Sequence, residues 1–419
     1  MHDFQYHQNE LYCEEVPIAT IADQVDTPFY LYSHHTLENH FKVFDSAFHG
    51  INHLTCFSVK ANSNLAVLKI FVNLGGGVDI VSGGELFRAL NSGVDPSKVV
   101  FSGVGKGIKE MEYALEAGIL MFNVESTQEL TTIDQVAERM GRKANIALRV
   151  NPHIDPQTHP YISTGLKKNK FGIEMNHALD DYREAKKLKH IEIVGVDCHI
   201  GSQITELQPF VETLRKVKEL VLTLRQEDIS IQYVDLGGGL GITYHQEQPP
   251  HPKEYASALI DEMHDMNCTL ILEPGRVIAG NAGILVTKVL YVKKGTEKTF
   301  VTVDAAMNDL IRPSLYGAFQ EIQPVVQNEG EEMVADIVGP ICESGDFLAK
   351  ERTIPVLKPG ELIAVMSAGA YGFTMSSNYN SRPRIPEVLA SGTKFYVIRE
   401  RETYEDLIRG ERIPEFLNQ

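Results

Sequence analysis

Between about residue 53 and residue 274, short apolar runs alternate with stretches whose apolar residues recur every three or four positions. The runs are HLTCFSVK (53–60), GVDIVS (77–82), VVFSGV (99–104), LMFNVE (120–125), NIALRVN (145–151), EIVGVDCHI (192–200), IQYVDLG (231–237) and TLILEP (269–274). They are short, rich in Val, Ile and Leu and mostly apolar on both faces, as parallel strands covered on two sides must be. Between them lie segments such as NLAVLKIFVNLG, KEMEYALEAG, STQELTTIDQVAERMG and FVETLRKVKELVLTLRQ. Their spacing, their Ser, Thr or Asn starts and their glycine ends predict amphipathic helices. Eight strands with intervening helices over roughly 230 residues predict an α/β fold with a (β/α)8 barrel. An open doubly wound sheet is the alternative, and the missing GxGxxG after the first strand counts against it.

After about residue 283 the texture changes. GILVTKVLYVKK, KTFVTVDAA, MVADIVGPI, ELIAVMSAGA and KFYVIRE read as strands separated by Gly- and Pro-containing turns. TPFYLYS (27–33) also reads as a strand, but precedes the first helix of the barrel. The expected organisation is an N-terminal strand segment (1–35) belonging to a β domain, a barrel (36–282) and the remainder of the β domain (283–419).

Composition narrows the partners. Hydrophobic residues are 43% and charged residues 23% of the 419, ordinary for a globular chain. The formal net charge of −17 argues against nucleic acid or an anionic membrane as the main partner. Five cysteines, scattered and without a CxxC pair, fit a reducing cytoplasm better than a disulfide scaffold. The polar opening MHDFQYHQNE and the lack of a long apolar stretch predict a soluble cytoplasmic protein.

Barrel enzymes keep their chemistry at the C-terminal ends of the strands, so the residues there are the candidates. The first run ends in Lys60, an amine delivered by an apolar strand. The sixth ends in HIGSQ, with His199, Gly201 and Ser202. The seventh ends in the glycines 237–239, and the eighth in EPGR, Glu273 to Arg276. Each has a bland reading: a lysine that snorkels to water, a satisfied histidine, a tight turn, a surface ion pair. Taken together they describe pyridoxal 5′-phosphate. Lys60 supplies the amine for a Schiff base and glycines with Arg276 supply a phosphate cradle. His199 supplies a ring to stack, and Glu273 a carboxylate for the ring nitrogen. A rival cluster, His153, Asp155 and His159 in NPHIDPQTHP, is broken by prolines and offers no complete ligand set. No metal is expected, and 151–172 is the candidate loop to close over a substrate.

These residues carry a resemblance over nearly the whole chain. FYLYS, FSVKAN, VDIVSGGEL, TGLKKNKFGI, HIGSQ, DLGGGLGI, LEPGR, IRPSLYGA, GPICESGDFL, GAYGFTMSSNYNSRPR and RETYEDL together resemble the diaminopimelate decarboxylases. That family lies within the barrel-type, alanine-racemase-like pyridoxal-phosphate decarboxylases. The resemblance implies that Lys60 holds the cofactor, that His199 stacks on its ring and that Glu273 pairs with its nitrogen. It places Ser202, Gly238, Gly275 and Arg276 around the phosphate, with Tyr371 close by. It makes Cys342 the acid that protonates the substrate carbon, and gives substrate binding to Arg276, Arg312, Tyr316, Glu343 and Tyr371. It also implies a homodimer in which Cys342 and Glu343 reach the partner's site. The implied reaction converts meso-diaminopimelate to L-lysine and CO2, the last step of lysine biosynthesis. The alternatives are a decarboxylase for ornithine, arginine, lysine or carboxynorspermidine, and a non-catalytic pyridoxal-phosphate binder. Ornithine decarboxylases carry Asp after the catalytic Cys, where this chain has Glu343, and the arginine of IRPSLY favours a substrate with a second carboxylate.

Overall fold

Eight parallel strands close on themselves within residues 37–280. They are β1 (His53–Ser58), β2 (Gly77–Ile80), β3 (Val99–Phe101), β4 (Met121–Val124), β5 (Ala144–Asn151), β6 (Ile191–Asp197), β7 (Tyr233–Asp235) and β8 (Thr269–Leu272). Each pairs in parallel with its sequence neighbours, β8 returns to β1, and β4 pairs with β5, which completes the ring. The expected barrel is therefore the observed one, and an open sheet is excluded. The computed structural model describes residues 2–155, 170–328 and 330–418. The chain divides into two compact units, Leu37–Gly280 and the combination of Met1–Thr36 with Asn281–Gln419.

The ring forms because its strands are covered on both faces. Every residue of β2 and β4 is buried, and Cys56, Val100, Met121, Ala147, Val194 and Ile271 pack into one core cluster. Helices α1 (Leu65–Asn73), α2 (Gly83–Ser92), α3 (Ile108–Ala117), α4 (Thr127–Met140), α5 (Met175–Lys187), α6 (Gln208–Gln226) and α7 (Pro252–Met263) alternate with the strands. Local chemistry sets several of their ends. Asn64, Ser82 and Ser126 accept backbone N–H groups at the starts of α1, α2 and α4. Gly141 ends α4 at φ +62°, the left-handed turn in which a residue without a Cβ is least strained.

The ring has one irregularity. The β5–β6 register slips between Ile193 and Gly195. Tyr182, fully buried on α5, serves the backbone there: its hydroxyl donates to Gly195 O at 2.8 Å and accepts from Leu148 N at 3.3 Å. A side chain from the covering helix thus services the bulge.

In the other unit the N-terminal strand Phe29–Ser33 sits inside a sheet. It runs antiparallel to Gly283–Lys294 and parallel to Glu387–Ser391. The sheet continues through Thr299–Val303, Glu332–Val338 and Phe347–Pro355 on one side and Lys394–Arg399 on the other. Two of these strands, 347–355 and 387–391, escaped the sequence reading. The first carries Lys350, Glu351 and Arg352 mid-strand, and the second opens on a glutamate. Glu387 is tolerated inside because Tyr32 donates to it at 2.8 Å and Arg399 pairs with it at 2.5 Å. A small sheet of Phe4–His7, Glu10–Cys13 and Val16–Pro17 adds Phe4, Leu11, Cys13 and Val16 to the core around Phe29 and Leu31.

Replacing Tyr182 by Phe keeps the packing but deletes the hydroxyl at the bulge. Urea unfolding is expected to show a loss of about 1–3 kcal/mol; an unchanged stability would mean the bulge does not depend on Tyr182.

Candidate active site

The C-terminal ends of the barrel strands converge on a polar mouth. β1 ends at Ser58, and a short 3-10 turn, Val59–Ala61, carries Lys60 just beyond it. Lys60 Nζ donates to Asp79 Oδ2 at 2.5 Å; Asp79, on β2, is fully buried, while the lysine side chain remains 38% exposed. The amine is therefore neither a snorkelling surface group nor a buried orphan. Ser58 Oγ lies 3.1 Å from Asp79 Oδ2 and 2.9 Å from the Glu273 carbonyl oxygen, which ties the end of β1 to that of β8. Gly275 permits the approach: a Cβ there would meet Ala61 Cβ at 2.9 Å and Ser58 Cβ at 3.1 Å.

Acidic groups crowd the mouth. Asp79, Asp197, Asp235 and Glu273 are buried at the ends of β2, β6, β7 and β8. Arg149, from β5, pairs with Glu125 at 2.6 Å and lies 3.9 Å from Asp197. Neutral donors hold the rest. Asn123 donates to Asp235 at 3.0 Å and to Ser102 at 3.1 Å, and Ser102 donates to Glu273 at 3.3 Å. Burial, then the charges of Asp235 and Asp79, raise the Glu273 carboxyl well above its ordinary range. Asp197 is raised by burial despite Arg149. His199 is held well below its ordinary value by burial and by the neighbouring Arg149 and Lys60 charges, so its imidazole is neutral. A mouth with this surplus of acid favours a cationic guest.

The glycines after β7 form a cradle. A Cβ on Gly238 would sit 2.3 Å from the Glu273 carbonyl oxygen, and one on Gly237 would sit 2.7 Å from His199 Nδ1. Gly239, at φ +121°, has Gly201 O where its Cβ would go, at 2.5 Å. Side chains are thus excluded where the loops after β6, β7 and β8 meet. Ser202 is on the loop after β6, which is tied to the glycines by Ile204 N–H to Gly239 O at 2.9 Å. Arg276 is buried at the start of the helix Arg276–Ala279 and donates to the Tyr244 hydroxyl at 2.6 Å. An amine, a glycine cradle beside a buried arginine, a neutral imidazole and a buried carboxylate of raised pKa fit pyridoxal 5′-phosphate. Seven of the expected residues, Lys60, His199, Ser202, Gly238, Glu273, Gly275 and Arg276, lie on this barrel unit. Sequence reasoning missed Asp79, Arg149, Asp197, Asp235 and Tyr244. The first four were visible as charged residues inside otherwise apolar strand runs.

The remaining five are on the β unit. Arg312 is buried at the start of the helix Arg312–Tyr316, and Tyr316 ends it. Cys342 and Glu343 lie exposed on a turn. Ser314 Oγ donates to Gly345 O, which joins that helix to that turn. Asp346 anchors the turn by accepting from Ile341 N and Met307 N at 2.7 Å each. Asn380 accepts from Cys342 N at 3.2 Å, and Tyr379 donates to Glu343 at 2.8 Å. Tyr371 follows at φ +55° on its own turn. Cys342 is exposed where Cys13, Cys56, Cys198 and Cys268 are buried. His159 and most of the 151–172 loop lie outside the described residues.

A closed parallel barrel with this mouth defines a class, the barrel enzymes that use pyridoxal 5′-phosphate. The profile of the family described as pyridoxal-dependent decarboxylase, pyridoxal binding domain, matches residues 34–280. The diaminopimelate decarboxylase of Vibrio cholerae is 52% identical over 406 residues, 96% of this chain and 97% of its own. That of Pseudomonas aeruginosa is 51% identical over 99% of both chains. Among solved structures, diaminopimelate decarboxylase from Helicobacter pylori complexed with L-lysine superposes with a TM-score of 0.91 at 44% identity, covering 94% of this chain and 98% of that one. The chain belongs to the diaminopimelate decarboxylase family of pyridoxal-dependent decarboxylases.

Asp235 allows a test of the acid cluster. Burial, then the Asp197 charge, push it up to about 7, against hydrogen bonds from Gly237 and Asn123. A carboxyl raised above its unfolded value of 3.8 holds its proton more tightly when folded. Its contribution to stability is therefore complete below about pH 4 and lost as pH rises to about 7. Cofactor-free Asp235→Asn is expected to lose less stability than wild type across that window in urea unfolding. Parallel curves would show Asp235 to be ionised throughout.

Proposed function

We propose that the protein decarboxylates meso-diaminopimelate to L-lysine and CO2, with pyridoxal 5′-phosphate on Lys60. The observation that carries the proposal is the mouth itself, where a partly exposed amine held by a buried carboxylate is close enough to the raised Glu273 carboxyl for the two charges to interact. Bound there, the cofactor supplies an electron sink for the pair released when the bond to the departing carboxylate breaks.

Asp79 apart, the residue roles are those that the family resemblance implies, and the chemistry of each side chain suits its role. Lys60 attaches the cofactor, and Asp79 keeps the amine aimed across the mouth. Glu273 would hold a proton at the ring nitrogen, the role that a carboxyl of raised pKa is suited to play. His199, neutral, would offer the ring a flat face without adding charge. Ser202, Gly238, Gly275 and Arg276 receive the phosphate, with Tyr371 as a further donor. Arg312 and Arg276 are forked cations suited to a distal carboxylate, with Tyr316 and Tyr371 as hydroxyl partners. Glu343 takes the distal ammonium. Cys342 gives its thiol proton to the substrate carbon once CO2 has left, and solvent returns that proton.

The proposal includes a homodimer, in which Cys342 and Glu343 act at the cofactor of a second copy. Two observations support it: the Cys342–Glu343 turn is exposed on the single chain, and so are the apolar Tyr404, Ile408, Ile413, Phe416 and Leu417. It also includes a cytoplasmic location, which suits five cysteines held as thiols. No described helix is long and apolar enough to cross a membrane.

The deciding assay is lysine release from meso-diaminopimelate, run beside L-ornithine, L-arginine and L-lysine with added cofactor. Strong preference for diaminopimelate is expected; preference for another amino acid would keep the cofactor site and overturn the substrate. In the same assay Lys60→Ala is expected to show essentially no turnover, and wild-type rates would remove the amine from the mechanism. Cys342→Ala is expected to keep the cofactor's absorbance while kcat falls on the order of a hundredfold or more. An unchanged kcat would reject the thiol as the acid.

A further inference from the structure

The opposite end of the barrel, where the strands begin, carries a side-chain cluster that the decarboxylation does not use. Asp45 lies in the last turn of the helix His34–Ser46, His49 in the turn after it, and His53 opens β1. One ligand atom from each residue lies within 4.8 Å of the others. His53 Nε2 is 3.3 Å from Asp45 Oδ1, and His49 Nε2 is 3.6 Å from Asp45 Oδ2. A tetrahedral zinc ion with bonds of about 2.0–2.1 Å holds neighbouring ligand atoms roughly 3.3–3.5 Å apart. His53 Nε2 and Asp45 Oδ1 therefore already have the spacing of two ligands on one ion, and His49 Nε2, which faces the other Asp45 oxygen on an exposed side chain, needs only a small turn to join them.

The surroundings orient these atoms as ligands. His53 Nδ1 is 3.1 Å from the Ile51 carbonyl oxygen. That partner places a ring proton on Nδ1 and turns Nε2 towards Asp45, so that an ion taking the place of any proton between Nε2 and Asp45 Oδ1 would meet the arrangement usual for a metal-bound histidine. Thr55 Oγ1 donates to Asp45 Oδ1 at 2.8 Å and fixes the carboxylate. The His53 side chain is only 11% exposed, whereas His49 is 69% exposed, so the cluster has a packed side and a side open to water.

We propose that Asp45, His49 and His53 bind one divalent ion of the zinc class, with water completing its shell. Two imidazoles and one carboxylate select zinc, cobalt or nickel over magnesium and calcium, which prefer all-oxygen sets. The ion joins the end of the His34–Ser46 helix to the first residue of β1, at the end of the barrel that serves stability rather than chemistry. Its effect is on unfolding, and the decarboxylation rate is independent of it. This departs from the expectation of no metal drawn from the sequence.

The test uses the cofactor-loaded enzyme, freed of adventitious metal by a chelator and dialysed against Zn²⁺, with Co²⁺ as a spectroscopic probe. The wild type is expected to retain about one Zn²⁺ per chain at this site, to give the visible bands of tetrahedral cobalt and to unfold at a higher temperature with Zn²⁺. His49→Ala, which alters an exposed side chain, is expected to weaken binding on the order of tenfold or more, to abolish the thermal shift and to leave the decarboxylation rate unchanged. Asp45→Asn is expected to weaken binding likewise. Failure of the wild type to retain zinc would leave the cluster as an ion pair between Asp45 and protonated His53 and overturn the proposal. Equal binding by His49→Ala and wild type, as capture by the exposed Cys342 thiol would give, would also overturn it.

Discussion

The contact between Lys60 and Asp79 is the constraint around which the barrel mouth is built. A lysine on a short turn beyond a strand would ordinarily turn to water, because a hydrated ammonium and a free four-carbon stem are both favourable. The fully buried carboxylate one strand away reverses that preference at 2.5 Å. It can do so only because β1 and β2 pair with Ser58 opposite Asp79, so that the parallel ladder fixes the separation of their ends. Closure of the ring then brings the end of β8 against the end of β1, where Ser58 touches both Asp79 and the Glu273 backbone.

Burying four carboxylates in one mouth is costly unless each is paired, hydrogen-bonded or protonated. The fold uses all three remedies. Asp79 takes Lys60, and Asp197 lies beside Arg149, itself bonded to Glu125. Asp235 and Glu273 are linked through Asn123 and Ser102, and both are driven towards the protonated form. A site of this kind is poised for a guest that brings positive charge. It is also less stable empty than an apolar barrel interior would be, the usual compromise between function and stability.

Much of the barrel was legible in the sequence because its strands are buried on both faces, and such strands read as unbroken apolar runs. The eight runs coincide with the eight strands to within a few residues at each end. Lys60, His199, Glu273 and Arg276 were legible by position, since barrel chemistry collects where strands end. Asp79, Arg149, Asp197 and Asp235 were not singled out, because each lies within a run whose neighbours are apolar and its partner is on another strand. In the β unit, strand 387–391 stayed hidden because its buried Glu387 is compensated by Tyr32, 355 residues earlier, and by Arg399. No local pattern contains such a compensation.

What the sequence by itself determined is whatever depends on neighbours along the chain: strand and helix periods, serine and asparagine caps, glycine turns, and motifs dense enough to carry a family resemblance. What only the tertiary structure decided is the pairing of groups far apart in sequence. The Asn123–Asp235 hydrogen bond, the approach of Gly238 to the Glu273 carbonyl and the Tyr182 hydroxyl at the β5–β6 bulge are of this kind. So is the meeting of Asp45 and His53 across a helix end and a strand start. The physical reason is that charge, hydrogen bonding and desolvation act over a few ångströms of space, whereas the chain sets only which groups are available to meet there.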